Sequence, residues 1–570
     1  MTQNFIHGTA GDDNLTGTSG ADVFLIGQGG NDTASGLGGN DIFRMAASFT
    51  AADQLDGGAG SDMVVLNGDY TGENAVTFND TTLVNVEFIR LVGGHSYDLT
   101  STDATIAAGR SLIVHAEDLG REDALTFDGS AETDGHLRFF DGAGNDVLTG
   151  GAAFDIFDLS RGGSDTAFGN GGDDTFIFGG TFDNTDQIDG GAGDNIVRLD
   201  GNYSDGVVMG PATIANIKIF QFAPGNDYML TANAESFAVG PVALINGSAL
   251  GAGDSLTFDA SASAADFHFI GGAGDDVLTG GTGGNHFDLS LGGSDTAIGG
   301  SGNNTFYMGA ALDPTDVITG SGGGGLPPKE LGASPDIKFL PSSNIIVLNG
   351  DYSAGFNFDG VNVTNINTVV AQTGHDYDLT FQDAFGAFDA TVTVDGHSLG
   401  AGDTLTVDAS AVESTNYVLI GGAGDDVLSG GQFGNTFTGG GGADDITSNN
   451  RGFDTFVYNH ISDSTSVNYD TIHGYDDAFS TVIVKGVPLD PQNYLGITAG
   501  GALSTATFDH DLAAAITSTV MPVGKYLIFE PNSGTLAGQA FLVIDTNGHA
   551  GYQAGADIVI DITGFTFGGG

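Results

Sequence analysis

The chain has 570 residues, 73 acidic side chains against 13 basic ones, a formal charge of -60 and no cysteine. So large a charge of one sign drives a compact chain apart unless cations are bound, and it excludes nucleic acid as a partner, because phosphate binding needs a basic surface. The lack of cysteine excludes disulfide staples, thiolate catalysis and cysteine metal sites. The 96 glycines would suggest disorder, yet they are periodic and 40 % of the residues are hydrophobic, so a packed core is available.

The opening run MTQNFIHGTAGDDNL has no basic start, apolar core or cleavage site, so no cleaved leader is expected. No stretch approaches the ~20 apolar residues of a spanning helix. Residues 1–45 carry the first of four glycine–aspartate cassettes, built on Asp13, Asp22, Asp32 and Asp41 at steps of 9, 10 and 9. Within each nine-residue motif, early glycines permit the positive φ of a tight turn. The sixth residue supplies a carboxylate, and the eighth an apolar side chain pointing inward from a short strand. Two motifs close one flat coil, and stacked coils bring carboxylates and turn carbonyls together as hard oxygen ligands suited to Ca2+.

Residues 46–141 form a longer β-rich unit, in which alternating runs such as FIRL, YDLT, SLIVHAE, ALTFD and HLRFF are separated by Gly, Asp and Asn turns. The second cassette, 142–178, uses Asp146, Asp155, Asp165 and Asp174 and leads into a second long unit, 179–270. The third, 271–308, uses Asp276, Asn285, Asp295 and Asn304 and precedes a third long unit, 309–420. The fourth, 421–458, uses Asp426, Asn435, Asp444 and Asp454. The long units repeat one another: an Asn-Gly-Asp-Tyr motif or its variant at Tyr70, Tyr203 and Tyr352, a Tyr-x-Leu-Thr strand at Tyr97, Tyr228 and Tyr377, and a strand ending at Asp128, Asp259 and Asp408. They are expected to be wider coils of the same parallel solenoid, with an inserted sandwich as the alternative. At the exits of the first three cassettes stand Asp53 with Asp62, Asp186 with Asn195, and Asp316 with Asn344, either further metal turns or solvated turn residues. Asp62 is counted among the metal candidates. The third unit carries an insertion over 321–343 whose prolines bar it from a central ladder, so it should loop out of a turn. Residues 459–570 change texture to a β-rich tail without nonapeptides.

The cassettes resemble those of the repeats-in-toxin (RTX) group of secreted bacterial proteins, and the tail is similar to the C-terminal domains of surface-layer-like members. The resemblance implies an all-β, parallel β-roll or β-solenoid fold, several Ca2+ ions, an uncleaved C-terminal signal read by type I secretion machinery, and folding on meeting external calcium. An extracellular structural role in a surface layer, matrix or cell coat, through self-association, is the leading expectation. A calcium-dependent adhesin or cell-surface glycan binder is the alternative, and a polysaccharide-acting enzyme a third. No catalytic residue is expected. The run Gly396-His397-Ser398-Leu399-Gly400 resembles the nucleophile elbow of α/β hydrolases, but it lacks a following helix and aligns with the turn at Ser248 and Ala249. No HExxH motif is present. His95 matches Asn226 and His375, and Arg138 matches His268 and Val418, so no outward residue marks a repeated active site.

Overall fold

The computed structural model describes residues 4–237, 240–320, 344–385, 390–449, 453–476 and 478–566. The 321–343 insertion therefore lies outside the described residues. The chain divides into two compact units, Met1–Asn285 and His286–Gly570.

In the first unit the chain winds as a parallel β-solenoid. On one face Asn4–His7 pairs with Asp22–Leu25, which pairs with Ile42–Met45, then Met63–Leu66 and Phe88–Leu91, all parallel and in register. The ladder continues through the first long unit, where Ser111–His115 pairs with His136–Phe140. The long units are thus coils of the solenoid. Alternation of buried and outward positions, as in the strands SLIVH and HLRFF, follows from the two-residue period of a pleated strand. The inward residues stack into ladders along the axis: Phe139, Phe157 and Phe176 have ring centroids 5.2 and 4.7 Å apart. Each such buried ring contributes roughly 1.5–3 kcal/mol.

The opposite face is built in segments. Asn14–Thr16, Thr33–Ser35, Gln54–Asp56 and Leu83–Val84 form one parallel sheet. Val76–Thr77, although earlier in the chain, pairs forward with Tyr97–Thr100 and starts the next sheet. One widened coil therefore closes one sheet and opens another. The same exchange recurs where Ile214–Ala215 pairs back to Gln187–Asp189 while Tyr203–Val208 pairs forward to Tyr228–Thr231. In the second unit Val363–Thr364 pairs back to Val317–Thr319 and Tyr352–Phe358 pairs forward to Tyr377–Phe381. Each back-pairing strand ends on an asparagine in the left-handed region, Asn85, Asn216 or Asn365, with φ of 50°, 53° and 56°. The repeated tyrosines mark these exchanges: Tyr70 stacks on Tyr97, Tyr203 on Tyr228 and Tyr352 on Tyr377 at 5.8, 5.9 and 6.0 Å.

The second unit ends in a different arrangement. Tyr526–Glu530, Phe541–Ile544 and Ile558–Asp561 are antiparallel, and Ile558–Asp561 joins the solenoid strand Asp470–His473 in parallel. Phe508, Leu512, Leu527, Phe541 and Val559 make a core beneath the helix Phe508–Ala515. This cap covers a sheet end that would otherwise offer unpaired backbone groups to another chain.

Candidate metal centres

The sixth-position side chains turn inward beneath the turns, where all but Asp13 are buried. They form columns joined through the backbone. In the first cassette Asp32 Oδ1 accepts the Asp13 N–H at 3.0 Å, and Asp53 Oδ1 accepts that of Asp32 at 2.8 Å. Beside it, Asp41 accepts from Asp22 at 2.8 Å, Asp62 from Asp41 at 2.7 Å, and Glu87 Oε2 from Asp62 at 2.8 Å. The second cassette repeats this with Asp146, Asp165 and Asp186 in one column and Asp155, Asp174 and Asn195 in the other. In the second unit Asp295 leads to Asp316, Asn304 to Asn344 and Asn367, Asp426 to Asp444 and Asp470, and Asn435 to Asp454. The exit residues Asp53, Asp62, Asp186, Asn195, Asp316 and Asn344 are thus members of the columns. Glu87 and Asn367 also belong, although no nonapeptide announces them.

The second carboxylate oxygen separates two kinds of aspartate. Where a column begins, Oδ2 accepts an N–H of its own turn: Asp146 from Gly142 at 2.9 Å, Asp155 from Gly151 at 2.6 Å, Asp276 from Gly272 at 2.5 Å and Asp426 from Gly422 at 2.6 Å. One or two coils further on, Oδ2 of Asp32, Asp41, Asp62, Asp174 and Asp444 is buried with no hydrogen-bond donor. A buried anionic oxygen without a donor is costly. It also sits close to turn carbonyls. A Cβ on Gly36 would stand 2.1 Å from Asp41 Oδ2 and 2.6 Å from the Gly57 carbonyl, and one on Gly169 2.1 Å from Asp174 Oδ2 and 2.7 Å from the Gly190 carbonyl. Glycine at these positions leaves room for two facing oxygens and nothing else. Oxygens of like sign, desolvated and convergent, are the donor set of a hard divalent cation, so the residues present fit Ca2+.

The titration of these groups reflects the same strain. Burial pushes Asp146, Asp155, Asp186, Asp276 and Asp426 up to about 6. Asp165 and Asp174, where burial is joined by a neighbouring carboxylate, reach about 7, and Asp444 about 8. At Asp22 burial also raises the value, but hydrogen bonds from Thr18 and Asn4 outweigh it and the net shift is downward.

Asp141 is a further buried carboxylate that the repeat spacing did not reveal. It occupies the first motif position, where the aligned cassettes have Gly271 and Gly421. Burial first, then Asp165 and Asp146, push it up to about 10. The first letter of DGAGNDVLTGG against that of GGAGDDVLTGG was the available signal.

The hydrolase-like run has no elbow geometry. Leu399 N–H donates to the Gly396 carbonyl at 2.8 Å, closing a turn, and Ser398 Oγ donates to the Ala371 carbonyl at 3.1 Å, while His397 Nδ1 meets Asp395 at 2.6 Å. Arg138 lies over the Phe140 ring at 4.6 Å, and His95 faces Asp69 at 3.3 Å.

A family model described as the RTX calcium-binding nonapeptide repeat (4 copies) matches residues 3–29, 24–44, 50–69, 138–162, 268–292, 289–310 and 420–450. The match over 50–69 takes in Asp53 and Asp62, and the match over 138–162 takes in Asp141. No curated protein matches the chain. No helix among the described residues is long and apolar enough to cross a membrane.

Proposed function

The chain is an RTX-type repeat protein whose nonapeptides bind calcium at multiple sites, and from that premise we propose that it acts outside the cell, folding on Ca2+ into a structural component of a surface layer, matrix or coat. The observation that carries this reading is the set of donorless Oδ2 atoms on Asp32, Asp41, Asp62, Asp174 and Asp444, which supports a fold that depends on a cation at the first, second and fourth cassettes. Extracellular calcium modules work at Kd near ~10⁻⁴ to 10⁻³ M, a range that keeps such a chain unfolded until it is exported. The aspartates and asparagines of the columns are the proposed ligands, with the long units as spacers between loading segments. Repeated acidic surfaces then associate once Ca2+ screens or bridges them. Electron microscopy and light scattering of the purified chain across micromolar to millimolar Ca2+ test this; ordered assemblies are expected, and a monomer throughout overturns it.

An adhesin reading has its own support in the first long unit. Phe88, His115 and Phe140 stack outward on three successive coils, with centroids 6.0 and 5.1 Å apart and planes 20° and 1° from parallel. Arg138 and Glu117 flank the row. Half-exposed ring edges in a row, beside charged hydrogen-bonding groups, suit the apolar flank and hydroxyls of a sugar. Saturable glycan binding lost on His115→Ala and Phe140→Ala, by a chain that stays monomeric in Ca2+, would select it.

A further inference from the structure

One column position differs from all its equivalents. Ligand oxygens of Asp141, Asp146 and Asp165 lie within 4.8 Å of one another, and all three residues are buried. Asp141 is 1 % exposed, and neither of its oxygens has a hydrogen-bond partner. Its side chain is therefore turned into the cluster, where the Arg161 backbone N–H eases its charge less than burial and the neighbouring carboxylates oppose it. The fourth cassette shows why this position projects there: a Cβ on the equivalent Gly421 would stand 2.4 Å from Asp426 Oδ2 and 2.2 Å from the Gly439 carbonyl. An aspartate in place of that glycine puts its own carboxylate where the fourth cassette has Asp426 Oδ2 and a turn carbonyl, and in the second cassette it joins those of Asp146 and Asp165.

We propose that Asp141, Asp146 and Asp165 form a three-carboxylate cation site that takes Ca2+ ahead of the other turns and so makes the second cassette the point where calcium-driven folding begins. The proposal rests on the calcium reading above but assigns a ligand that the nonapeptide pattern does not contain. Affinity in oxygen-donor calcium sites rises with the number of charged ligands and with rigidity. Three buried carboxylates held by a stacked turn have more of both than the aspartate–carbonyl turns. Because a calcium-coupled fold is loaded by its tightest site, the first ion sets the calcium concentration at which structure appears.

The test is a Ca2+ titration of the full chain from chelator, with native mass spectrometry counting the first ions bound and circular dichroism following folding. Asp141→Gly restores the residue found in the third and fourth cassettes, and Asp141→Asn keeps the size while removing the charge. Both should weaken the tightest class of site by about tenfold or more and move the folding midpoint to higher Ca2+, with the final spectrum unchanged at saturation. A tightest class and midpoint identical to wild type in both variants would overturn the proposal and identify Asp141 as a structural carboxyl. So would failure of both variants to fold at saturating Ca2+. A wild-type chain that binds no Ca2+ would instead refute the calcium-dependent folding on which the proposal stands.

Discussion

Two equivalent turns show what the choice between aspartate and asparagine does. In the first long unit Asp62 Oδ2 and the Asn85 carbonyl face each other across Gly57, whose added Cβ would lie 2.6 and 2.2 Å from them, and Asp62 Oδ2 has no donor. In the third, Asn344 stands in place of Asp62, and its Nδ2 donates to the Asn365 carbonyl at 2.9 Å and to the Gly320 carbonyl. The column above it is closed in the same way, with Asn304 Nδ2 donating to Gly302 and to Asn344 Oδ1 at 2.8 and 3.0 Å. An amide thus supplies the positive partner that a carboxylate must obtain from a cation. In the acid column Asp22–Asp41–Asp62–Glu87 the Oδ2 atoms of Asp41 and Asp62 are left without a donor; the amide column Asn304–Asn344–Asn367 carries much of its own satisfaction.

Calcium removal should separate the two most strongly. In chelator the β signal in circular dichroism should largely collapse, and hydrogen exchange at intermediate Ca2+ should show loss of protection at Asp41 and Asp62 before Asn304 and Asn344. Uniform loss at both turns would break the comparison.

Removing carboxylates within an acid column comes next in size. Asp155→Ala with Asp165→Ala strips the acceptors from the Leu137 and Asp146 N–H groups, which they bond at 2.6 and 3.0 Å. Each buried donor left unsatisfied costs about 1–3 kcal/mol, and the folding midpoint should move to higher Ca2+. Asp98→Ala, at an outward half-buried strand position, should change stability by no more than about 0.5 kcal/mol.

Proton and calcium should then act as rivals. The column carboxyls titrate near 3.8 when unfolded and at about 6 to 7 in the fold at Asp146, Asp155, Asp165 and Asp174. Their contribution to the metal-free fold is therefore full below about pH 4 and is lost as pH rises through 6 to 7. In chelator the residual β signal in circular dichroism should be strongest near pH 4 to 5 and fall away as pH rises to 8. With millimolar Ca2+ the slope should reverse, because the ligand is the ionised form. A chelated protein that gains stability with pH would contradict the burial of these groups.

The fold class was legible because two periods coincide: nine residues between carboxylates and two residues between inward side chains, as in Thr175–Phe178. The Tyr70, Tyr203 and Tyr352 repeats were visible too. What they mark was not, since Val76–Thr77 and Leu83–Val84 are too short to show alternation, and only their opposite pairing reveals a sheet exchange. Calcium as the ligand class followed from the aspartates, but sequence treats Asp62 and Asn344 as equal oxygen donors. What separates them is how each meets the equivalent carbonyl some twenty residues away on the next coil, since the amide donates to Asn365 and the carboxylate cannot donate to Asn85. Asp141 was passed over for a related reason: a first-position aspartate resembles any turn aspartate until the turn is known to point inward.

The smallest expected effect is the most direct exchange between the two columns. Asp62→Asn should place an amide nitrogen against the Asn85 carbonyl, as Asn195 already does against Asn216 at 3.0 Å, while its oxygen keeps the Asp41 N–H. The burial that pushes Asp62 up to about 6 no longer acts on a charge. One neutral hydrogen bond gained where an unpaired anion stood contributes on the order of 1 kcal/mol, so at a low fixed Ca2+ that leaves the wild type partly folded the variant should melt a few degrees higher, and its Tm should gain less from further Ca2+ than that of wild type. Asn344→Asp should do the opposite, lowering the Tm at that low Ca2+ and recovering it as Ca2+ rises. If Asp62→Asn instead lowers stability at that low Ca2+, Asp62 Oδ2 is satisfied in solution by a donor other than a cation, and the distinction between acid and amide columns fails at its most favourable position.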